Sequence, residues 1–202
     1  MTHPEPSPWL TADLATLRQQ LLDLFCERAY REGDFVLSSG QRSAYYINGK
    51  QVTLHPEGAV GMGRLLLASL PLDVTAVAGL TLGADPMVSA VSAVGLYEGR
   101  RITPLIIRKA AKGHGTQAYI EGLTLEPGTP VVVLEDVVTT GNSALQAVTR
   151  LRDAGYGVDR ILALVDRQQG GAELYAQEGL AFESLFTIGQ IRDRWRDLQP
   201  AP

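Results

Sequence analysis

The stretch 131-VVVLEDVVTTGNSALQAV-148 joins an apolar run to two acids, a polar turn and a second apolar pattern. An uninterrupted apolar run of this kind is typical of a strand that is buried on both faces of a sheet, and we predict a strand over residues 131–135. The apolar spacing that follows predicts a helix over residues 143–154, ended by Gly155. Glu135 and Asp136 therefore stand at the carboxyl end of a strand, where open α/β sheets bind their ligands.

The rest of the chain continues this alternation of short apolar runs and helical patterns. The predicted strands cover residues 74–80, 102–108, 131–135 and 160–166, and the predicted helices cover residues 56–70, 86–97, 143–154 and 171–179. Nearer the start, we predict a helix over 11–31 that Gly33 closes, then a hairpin or two short strands from 35–37 and 44–47. Unbroken apolar strands that alternate with helices predict an α/β fold with a mostly parallel central sheet flanked by helices.

Composition limits the classes of protein to consider. The chain has 202 residues with 45% hydrophobic content, which suits one globular domain. The net charge of −4 gives no support for nucleic acid as a partner. Cys26 is the single cysteine, so no internal disulfide can form, and a cytoplasmic location is expected. No secretory signal and no apolar run long enough for a membrane span are present, so no membrane association is expected.

The turn after the two acids has the character of a phosphate site. A helix N-terminus exposes unpaired N–H groups and a partial positive charge, and hydroxyls with a glycine let an anion approach closely. The sequence is neither a P-loop nor a dinucleotide fingerprint. The acids would repel a phosphate, but they can accept hydrogen bonds from sugar hydroxyls or lie near a hydrated cation. A phosphorylated sugar satisfies both halves, whereas the simpler alternative is a capped helix beside solvated acids.

The segment VVVLEDVVTTGNS closely resembles the phosphoribosyl-pyrophosphate (PRPP) motif of type I phosphoribosyltransferases. The resemblance implies that family's α/β fold as a single domain over 1–202, with a small N-terminal hood from about 11–50 and a core from about 51–190. It also implies that Glu135 and Asp136 hold the ribose 2- and 3-hydroxyls. The remaining PRPP contacts that it implies are Thr139, near the base and so also an orotate contact, and the 5-phosphate cradle of Thr140, Gly141, Asn142 and Ser143.

A second loop, 108-RKAAKGHGTQAYIEG-122, concentrates cations after the predicted strand 102–108. Displacing pyrophosphate builds negative charge on the leaving group, and cations that close over it stabilise that charge. An ordinary exposed basic hairpin is the alternative for such a loop taken alone. The candidate residues are Arg108, Lys109, Lys112 and His114.

The pattern RKxxKxHG strongly resembles the catalytic loop of orotate phosphoribosyltransferases. The resemblance implies that the loop reaches into the neighbouring subunit of a homodimer and contacts PRPP there through Arg108, Lys109, Lys112 and His114. Lys112 is the leading candidate for assisting pyrophosphate departure, with Lys109 and His114 as further catalytic residues. The chain departs from many relatives at Ala110 and Gly113, where an acid is common.

Three further stretches resemble the same family. The segment 37-LSSGQRSAYYIN-48 implies that Tyr46 and Ile47 lie against orotate, although strand packing alone would also explain the tyrosines. The segment 163-ALVDRQQGG-171 implies that Arg167 binds the orotate carboxylate or a carbonyl, with a surface arginine as the alternative. The segment 79-GLTLGADP-86 implies a pyrophosphate loop with Leu82 and Gly83 at the contact positions.

Ser38 and Gly83 stand where many relatives have lysines that contact PRPP and pyrophosphate. More of the pyrophosphate charge must therefore be balanced by Mg²⁺, by backbone groups and by the basic loop. The resemblance implies that Mg²⁺ is bound mainly by substrate oxygens and water rather than by a protein cage.

The expected reaction is the transfer of ribose 5-phosphate from PRPP to orotate, giving orotidine 5′-monophosphate and pyrophosphate in pyrimidine (UMP) biosynthesis. Two alternatives stay open at this point. One is a phosphoribosyltransferase for another base, and the other is a PRPP-sensing regulator without catalysis.

Overall fold

A six-stranded sheet lies at the centre of the computed structural model, which describes residues 7–36, 42–112 and 119–199. The strand order is β5-β4-β3-β6-β7-β8. The bounds are β3 (Ala76–Leu80), β4 (Thr103–Ile107), β5 (Ile120–Gly122), β6 (Val131–Val138), β7 (Arg160–Asp166) and β8 (Ala181–Thr187). Neighbouring strands are parallel except for β5, which pairs antiparallel with β4. The prediction of a mostly parallel sheet is confirmed.

Helices cover both faces of the sheet, which explains the unbroken apolar runs. Side chains alternate between the faces, so that Val132 and Leu134 join one buried cluster while Val131 and Val133 join another. The helices are α1 (Pro8–Thr11), α2 (Leu14–Leu24), α3 (Lys50–Thr53), α4 (Pro56–Ser69), α5 (Asp85–Tyr97), α6 (Asn142–Asp153), α7 (Gly171–Gln177) and α8 (Ile188–Asp197). Among the helices of the described ranges, none has the length and apolar character needed to span a membrane.

A separate two-stranded sheet lies near the start of the chain. Strands β1 (Tyr30–Val36) and β2 (Arg42–Ile47) pair antiparallel, which confirms the hairpin. The helix predicted over 11–31 is wrong at its end, because it closes with a π-helical turn over Phe25–Ala29 and Gly33 lies inside β1. Tyr30 leaves the helix to pair with Ile47, and the tertiary pairing overrides the local helical spacing.

The strand that carries the two acids is longer than its apolar run. We predict its end at residue 135, but β6 continues to Val138, so Glu135 and Asp136 lie within the strand. Val137 and Val138 pair with β7 and remain part of the sheet beyond the acids. The charged pair does not end the strand because backbone pairing, not side-chain polarity, decides where a buried strand stops.

Candidate active site

The two central strands separate at their carboxyl ends and leave a crevice between them. Pairing between β3 and β6 extends from Ala76 to Ala78 on β3. At Gly79, an added Cβ would lie 2.6 Å from the carbonyl oxygen of Leu134, so only glycine fits where the strands diverge. The chain leaves β3 toward β4 on one side, while β6 lies on the other. This reversal of strand order marks the position where open α/β sheets bind ligands.

Glu135 and Asp136 lie on β6 and flank this crevice. Both residues are largely buried, each with 9% of its surface exposed. Burial, together with the charge of Asp136, raises the pKa of Glu135 to about 8, and the charges of Lys109 and Lys50 act in the opposite direction. The Oε2 atom of Glu135 is buried and has no hydrogen-bond partner among the described residues. A buried acceptor without a partner is ready to accept a hydrogen bond from a bound hydroxyl.

Asp136 is enclosed by two glycines on the opposite side of β6. A Cβ at Gly83 would lie 2.6 Å from Asp136 Oδ1, and a Cβ at Gly49 would lie 3.2 Å from Oδ2. Gly83 thus lets the loop after β3 approach the carboxylate closely, and a larger residue at this position would require the Asp136 carboxylate to move. Leu82, the other predicted contact of this loop, is 69% exposed and follows a cis peptide bond at Thr81.

The turn after β6 forms a small cavity at the N-terminus of α6. Its volume is about 100 Å³, and it is lined by Glu135, Val137, Val138, Thr139, Thr140, Gly141, Asn142, Ser143, Ala144 and Tyr175. No side chain of the described residues caps this helix, so its first N–H groups face the cavity unpaired by a cap. The four residues predicted to cradle the phosphate, together with Thr139 and Glu135, therefore line one cavity.

Gly141 shapes the turn. Its φ is +88°, a left-handed conformation that favours glycine, and an added Cβ would lie 2.8 Å from the Tyr175 ring. The Tyr175 hydroxyl is buried with no hydrogen-bond partner among the described residues. Burial, with the nearby charges of Glu135 and Asp166, raises the pKa of Tyr175. The Tyr175 ring thus packs against the turn at Gly141, a contact that its position on α7 alone does not reveal.

Of the basic loop, residues 108–118, the structure describes residues 108–112, which directly follow β4. Its described part places Lys109 close enough to Glu135 for the two charges to interact. Arg108 donates to Glu121 Oε1 at 2.8 Å, and Lys112 lies 3.7 Å from the same oxygen. These contacts lower the pKa of the Glu121 carboxyl, chiefly through the Arg108 hydrogen bond. His114 and Ser38 lie outside the described residues.

Of the predicted base-binding residues, Tyr46 and Ile47 lie on opposite faces of β2, and Arg167 lies beside the face that carries Ile47. Arg167 Nε donates to the Tyr45 hydroxyl at 3.2 Å, and its guanidinium carbon lies 5.0 Å from the Tyr45 ring centroid. The Arg167 backbone N–H donates to the Val138 carbonyl at 2.9 Å, which places the residue beside the end of β6. Tyr46 points the other way and packs on Phe35. Ile47 packs against the core on the Tyr45 face.

The structure therefore brings Tyr45, not Tyr46, to Arg167, and sequence reasoning did not assign Tyr45. The period-two alternation of β2 puts Tyr45 and Ile47 on one face, and this signal alone separates the two tyrosines. Lys50 near Glu135 was also missed, because its proximity depends on a contact between distant parts of the chain. The prediction for Tyr46 and Ile47 stays a prediction.

Metal binding at this site would draw on its acidic side chains. Within residues 7–36, 42–112 and 119–199, no group of three or more His, Cys, Asp or Glu side chains is placed to hold a metal ion. Glu135 and Asp136 are the acids that face the crevice. Carboxylate oxygens are a ligand type that Mg²⁺ prefers, so the residues present are compatible with a Mg²⁺ ion that keeps several waters.

Comparisons with known proteins give one consistent likeness. No model of a protein family matches the chain. The chain is 67% identical to an orotate phosphoribosyltransferase from Nostoc sp. over 188 residues, covering 93% of this chain and 91% of the relative. It is 66% identical to an orotate phosphoribosyltransferase from Synechocystis sp. over 186 residues, covering 92% of this chain and 94% of the relative.

Solved structures show the same likeness. An orotate phosphoribosyltransferase from Mycobacterium tuberculosis in complex with Fe(III) dicitrate superposes with a TM-score of 0.78 at 38% identity, covering 87% of this chain and 98% of that one. The Mycobacterium tuberculosis protein in complex with PRPP superposes with a TM-score of 0.73 at 34% identity, covering 87% of this chain and 99% of that one.

Proposed function

The chain belongs to the orotate phosphoribosyltransferase family, and from that premise we propose that it transfers ribose 5-phosphate from PRPP to orotate. The products are orotidine 5′-monophosphate and pyrophosphate, in the synthesis of UMP. The observation that carries the proposal is the crevice between β3 and β6. It gathers a buried acid pair, an uncapped helix N-terminus, the lysine Lys109 and the arginine Arg167 around one edge of the sheet.

The ribose 5-phosphate half of the substrate is assigned to β6 and its turn. Glu135 and Asp136 accept hydrogen bonds from the ribose hydroxyls, and the unpartnered Oε2 atom of Glu135 supports this role. The 5-phosphate binds at the start of α6, where N–H groups and the helix dipole favour an anion. The residues assigned to the phosphate are Thr140, Gly141, Asn142 and Ser143.

The pyrophosphate half is assigned to the loop after β3 and to the basic loop. Leu82 and Gly83 offer backbone groups, while Arg108, Lys109 and Lys112 offer positive charge. As the bond between C1 and the pyrophosphate oxygen breaks, its electron pair leaves with pyrophosphate, and these cations stabilise the charge. His114 is proposed to act with them. Mg²⁺, bound by substrate oxygens and water beside Glu135 and Asp136, would supply further neutralisation of the pyrophosphate charge.

The base half is assigned to Arg167 and the neighbouring β2. The planar guanidinium can donate two parallel hydrogen bonds to the orotate carboxylate or to a carbonyl. Tyr45 holds this guanidinium through its hydroxyl and ring. Tyr46 and Ile47 contact orotate through the backbone of β2, and Thr139 lies near the base. A neutral purine offers Arg167 no carboxylate, which favours orotate over other bases.

We further propose that the enzyme is a cytoplasmic homodimer in which Lys112 and His114 serve the partner's site. Cys26 is buried, and burial raises the pKa of its thiol to about 11, so the single cysteine stays protonated and unreactive. Such a thiol suits a reducing compartment.

Purified protein tests the proposal directly. Addition of PRPP and Mg²⁺ to orotate should reduce the orotate absorbance, and the product should carry the mass of orotidine 5′-monophosphate. Lys112→Ala should lower kcat by orders of magnitude while PRPP still binds. A PRPP-sensing regulator would instead bind PRPP, give no turnover, and be insensitive to Lys112→Ala.

A further inference from the structure

Arg150 contacts the first residues of the basic loop and the residue that directly follows it. It lies on α6, and its guanidinium donates from Nη1 to the Arg108 carbonyl and from Nη2 to the Lys109 carbonyl at 3.0 Å. Its guanidinium carbon also lies 4.1 Å from the centroid of the Tyr119 ring. Arg108 and Lys109 begin the basic loop, and Tyr119 directly follows it.

The two ends of the loop are also joined to each other. The Arg108 backbone N–H donates to the Tyr119 carbonyl at 2.8 Å. Arg150 therefore binds a closed stem rather than two independent strands. Its planar fork can donate to two carbonyls while its face stacks on an aromatic ring, which a lysine ammonium cannot do at once.

Helix α6 connects this stem to the phosphate site. The N-terminus of α6 forms the cavity lined by Asn142 and Ser143, and Arg150 projects from a later turn of the same helix. A helix is stiff over such a short span. The contacts of Arg150 therefore hold the base of the basic loop at a set place relative to the site proposed for the 5-phosphate.

We propose that Arg150 is a positioning residue that fixes the base of the basic loop relative to the phosphate turn. The proposal rests on the proposed function, because the distance between the base of the loop and the phosphate turn matters only if these parts bind the pyrophosphate and 5-phosphate groups of PRPP. With the stem held, Lys109, and Lys112 in the partner's site, start their approach to the leaving pyrophosphate from a defined position. Misplacing such groups by about 1 Å can cost roughly 100-fold in rate.

Arg152 gives a matched control two residues further along α6. It donates from Nε at 3.2 Å and from Nη2 at 2.7 Å to the Val158 carbonyl, in a loop away from the crevice. Arg150 and Arg152 thus make the same kind of arginine-to-carbonyl contact from one helix. Replacing either one removes a similar structural bond, but only Arg150 contacts the basic loop.

The kinetic test compares Arg150→Ala, Arg150→Lys and Arg152→Ala. Arg150→Ala should lower kcat by about 10- to 100-fold with a smaller change in the KM for PRPP, because the stem positions cations used in the transition state. Arg150→Lys should recover only part of that loss, and Arg152→Ala should stay within about twofold of the parent protein. Equal kcat values for Arg150→Ala and Arg152→Ala at similar Tm would overturn the proposal.

Limited trypsin digestion without substrate gives a second measurement that needs no activity. Cleavage after Arg108, Lys109 or Lys112, followed by mass spectrometry, should become several-fold faster in Arg150→Ala and Arg150→Lys but not in Arg152→Ala. Unchanged cleavage in both Arg150 variants would refute the anchoring of the stem. If the parent protein failed to convert orotate while cleavage still rose, the proposed function would fall and the anchoring would stand.

Discussion

At the residue scale, the burial of the Glu135 carboxyl lowers the stability of the fold, and its proposed function explains why it is there. The carboxyl is buried, its Oε2 atom is unpartnered, and its pKa is raised to about 8. Buried charges without partners destabilise a fold, and such groups concentrate where a ligand completes them. A ribose hydroxyl would supply the missing hydrogen bond.

Glu135→Gln should separate stability from substrate binding. The folded protein keeps a proton on Glu135 that the unfolded chain loses above its ordinary pKa of 4.5, so this group's contribution to stability falls as pH rises from 4.5 to about 8. The variant should therefore have a higher Tm at pH 8 and a weaker pH dependence of Tm. Above about pH 8, where Glu135 is ionised, the KM of the variant for PRPP should exceed that of the parent by roughly 10-fold or more, because a charge-assisted acceptor is lost.

Glu183→Gln serves as the control for that measurement, since Glu183 is an exposed acid on β8 of the same sheet. It should leave both the Tm at pH 8 and the KM for PRPP near the parent values, because its side chain is exposed. If Glu135→Gln lowered Tm at pH 8 and left the KM unchanged, the assignment of this residue to the ribose would be wrong.

Gly141 allows a second comparison between matched positions. Gly141 and Gly155 both have a φ of +88°, but only Gly141 has a close neighbour, the Tyr175 ring. Alanine at either position pays about 1–2 kcal/mol for the left-handed backbone. Gly141→Ala should also displace the phosphate turn and lower kcat/KM for PRPP by about 10-fold or more, as steady-state kinetics can measure.

Gly155→Ala should retain nearly the parent kcat/KM, with a lower free energy of unfolding in chemical denaturation. Equal kinetic losses in the Gly141 and Gly155 variants would show that backbone strain, and not the shape of the turn, causes the effect.

At the element scale, strand β2 shows how alternation selects a functional side chain. Tyr45 faces Arg167 and stacks on Tyr30, whereas Tyr46 packs on Phe35 at the other face of the hairpin. Tyr45→Phe keeps the ring but removes the hydroxyl that accepts from Arg167. We expect the KM for orotate to rise several-fold, because the guanidinium loses one of its fixed contacts.

Tyr46→Phe is the paired variant and should leave the KM for orotate unchanged. A rise in the KM for orotate in Tyr46→Phe, with none in Tyr45→Phe, would place the base on the other face of β2.

The accuracy of sequence-based prediction differs between elements for physical reasons. The central strands and α4, α5 and α6 are predictable, because continuous apolar runs and clear terminators mark them. The end of the first long helix is not, because Tyr30 changes to a strand through pairing with Ile47. The last elements give weak signals, since β8 is an edge strand and α8 is largely polar, with Ile188 and Ile191 as its buried residues.

Site residues follow the same division. Glu135, Asp136 and the phosphate turn are predictable, because a local motif carries all of them. Arg150, Lys50 and Tyr45 are not, because their use depends on contacts between distant segments, and a lone arginine on an amphipathic helix is typical of a solvated face. Side-chain direction within a helix or strand gives the only local hint.

At the scale of the whole molecule, the proposed site needs loops from several strands and, for Lys112, a second subunit. Mixing Lys112→Ala with a Glu135→Gln/Asp136→Asn double variant tests the sharing. If subunits exchange randomly, roughly a quarter of the sites receive two intact halves, so activity should recover to about that fraction of the parent value. Each variant measured alone should be nearly inactive. If subunit exchange is verified and activity still does not recover, the loop serves its own subunit.

Base preference tests the central claim most directly. The measurement is kcat/KM with PRPP and Mg²⁺ for orotate, for uracil, which lacks the carboxylate, and for hypoxanthine. We expect orotate to be preferred by about 100-fold or more, and Arg167→Ala to remove most of this preference, because the arginine binds the carboxylate. Turnover of hypoxanthine with none of orotate, or equal use of orotate and uracil, would contradict the assignment of Arg167 to the orotate carboxylate.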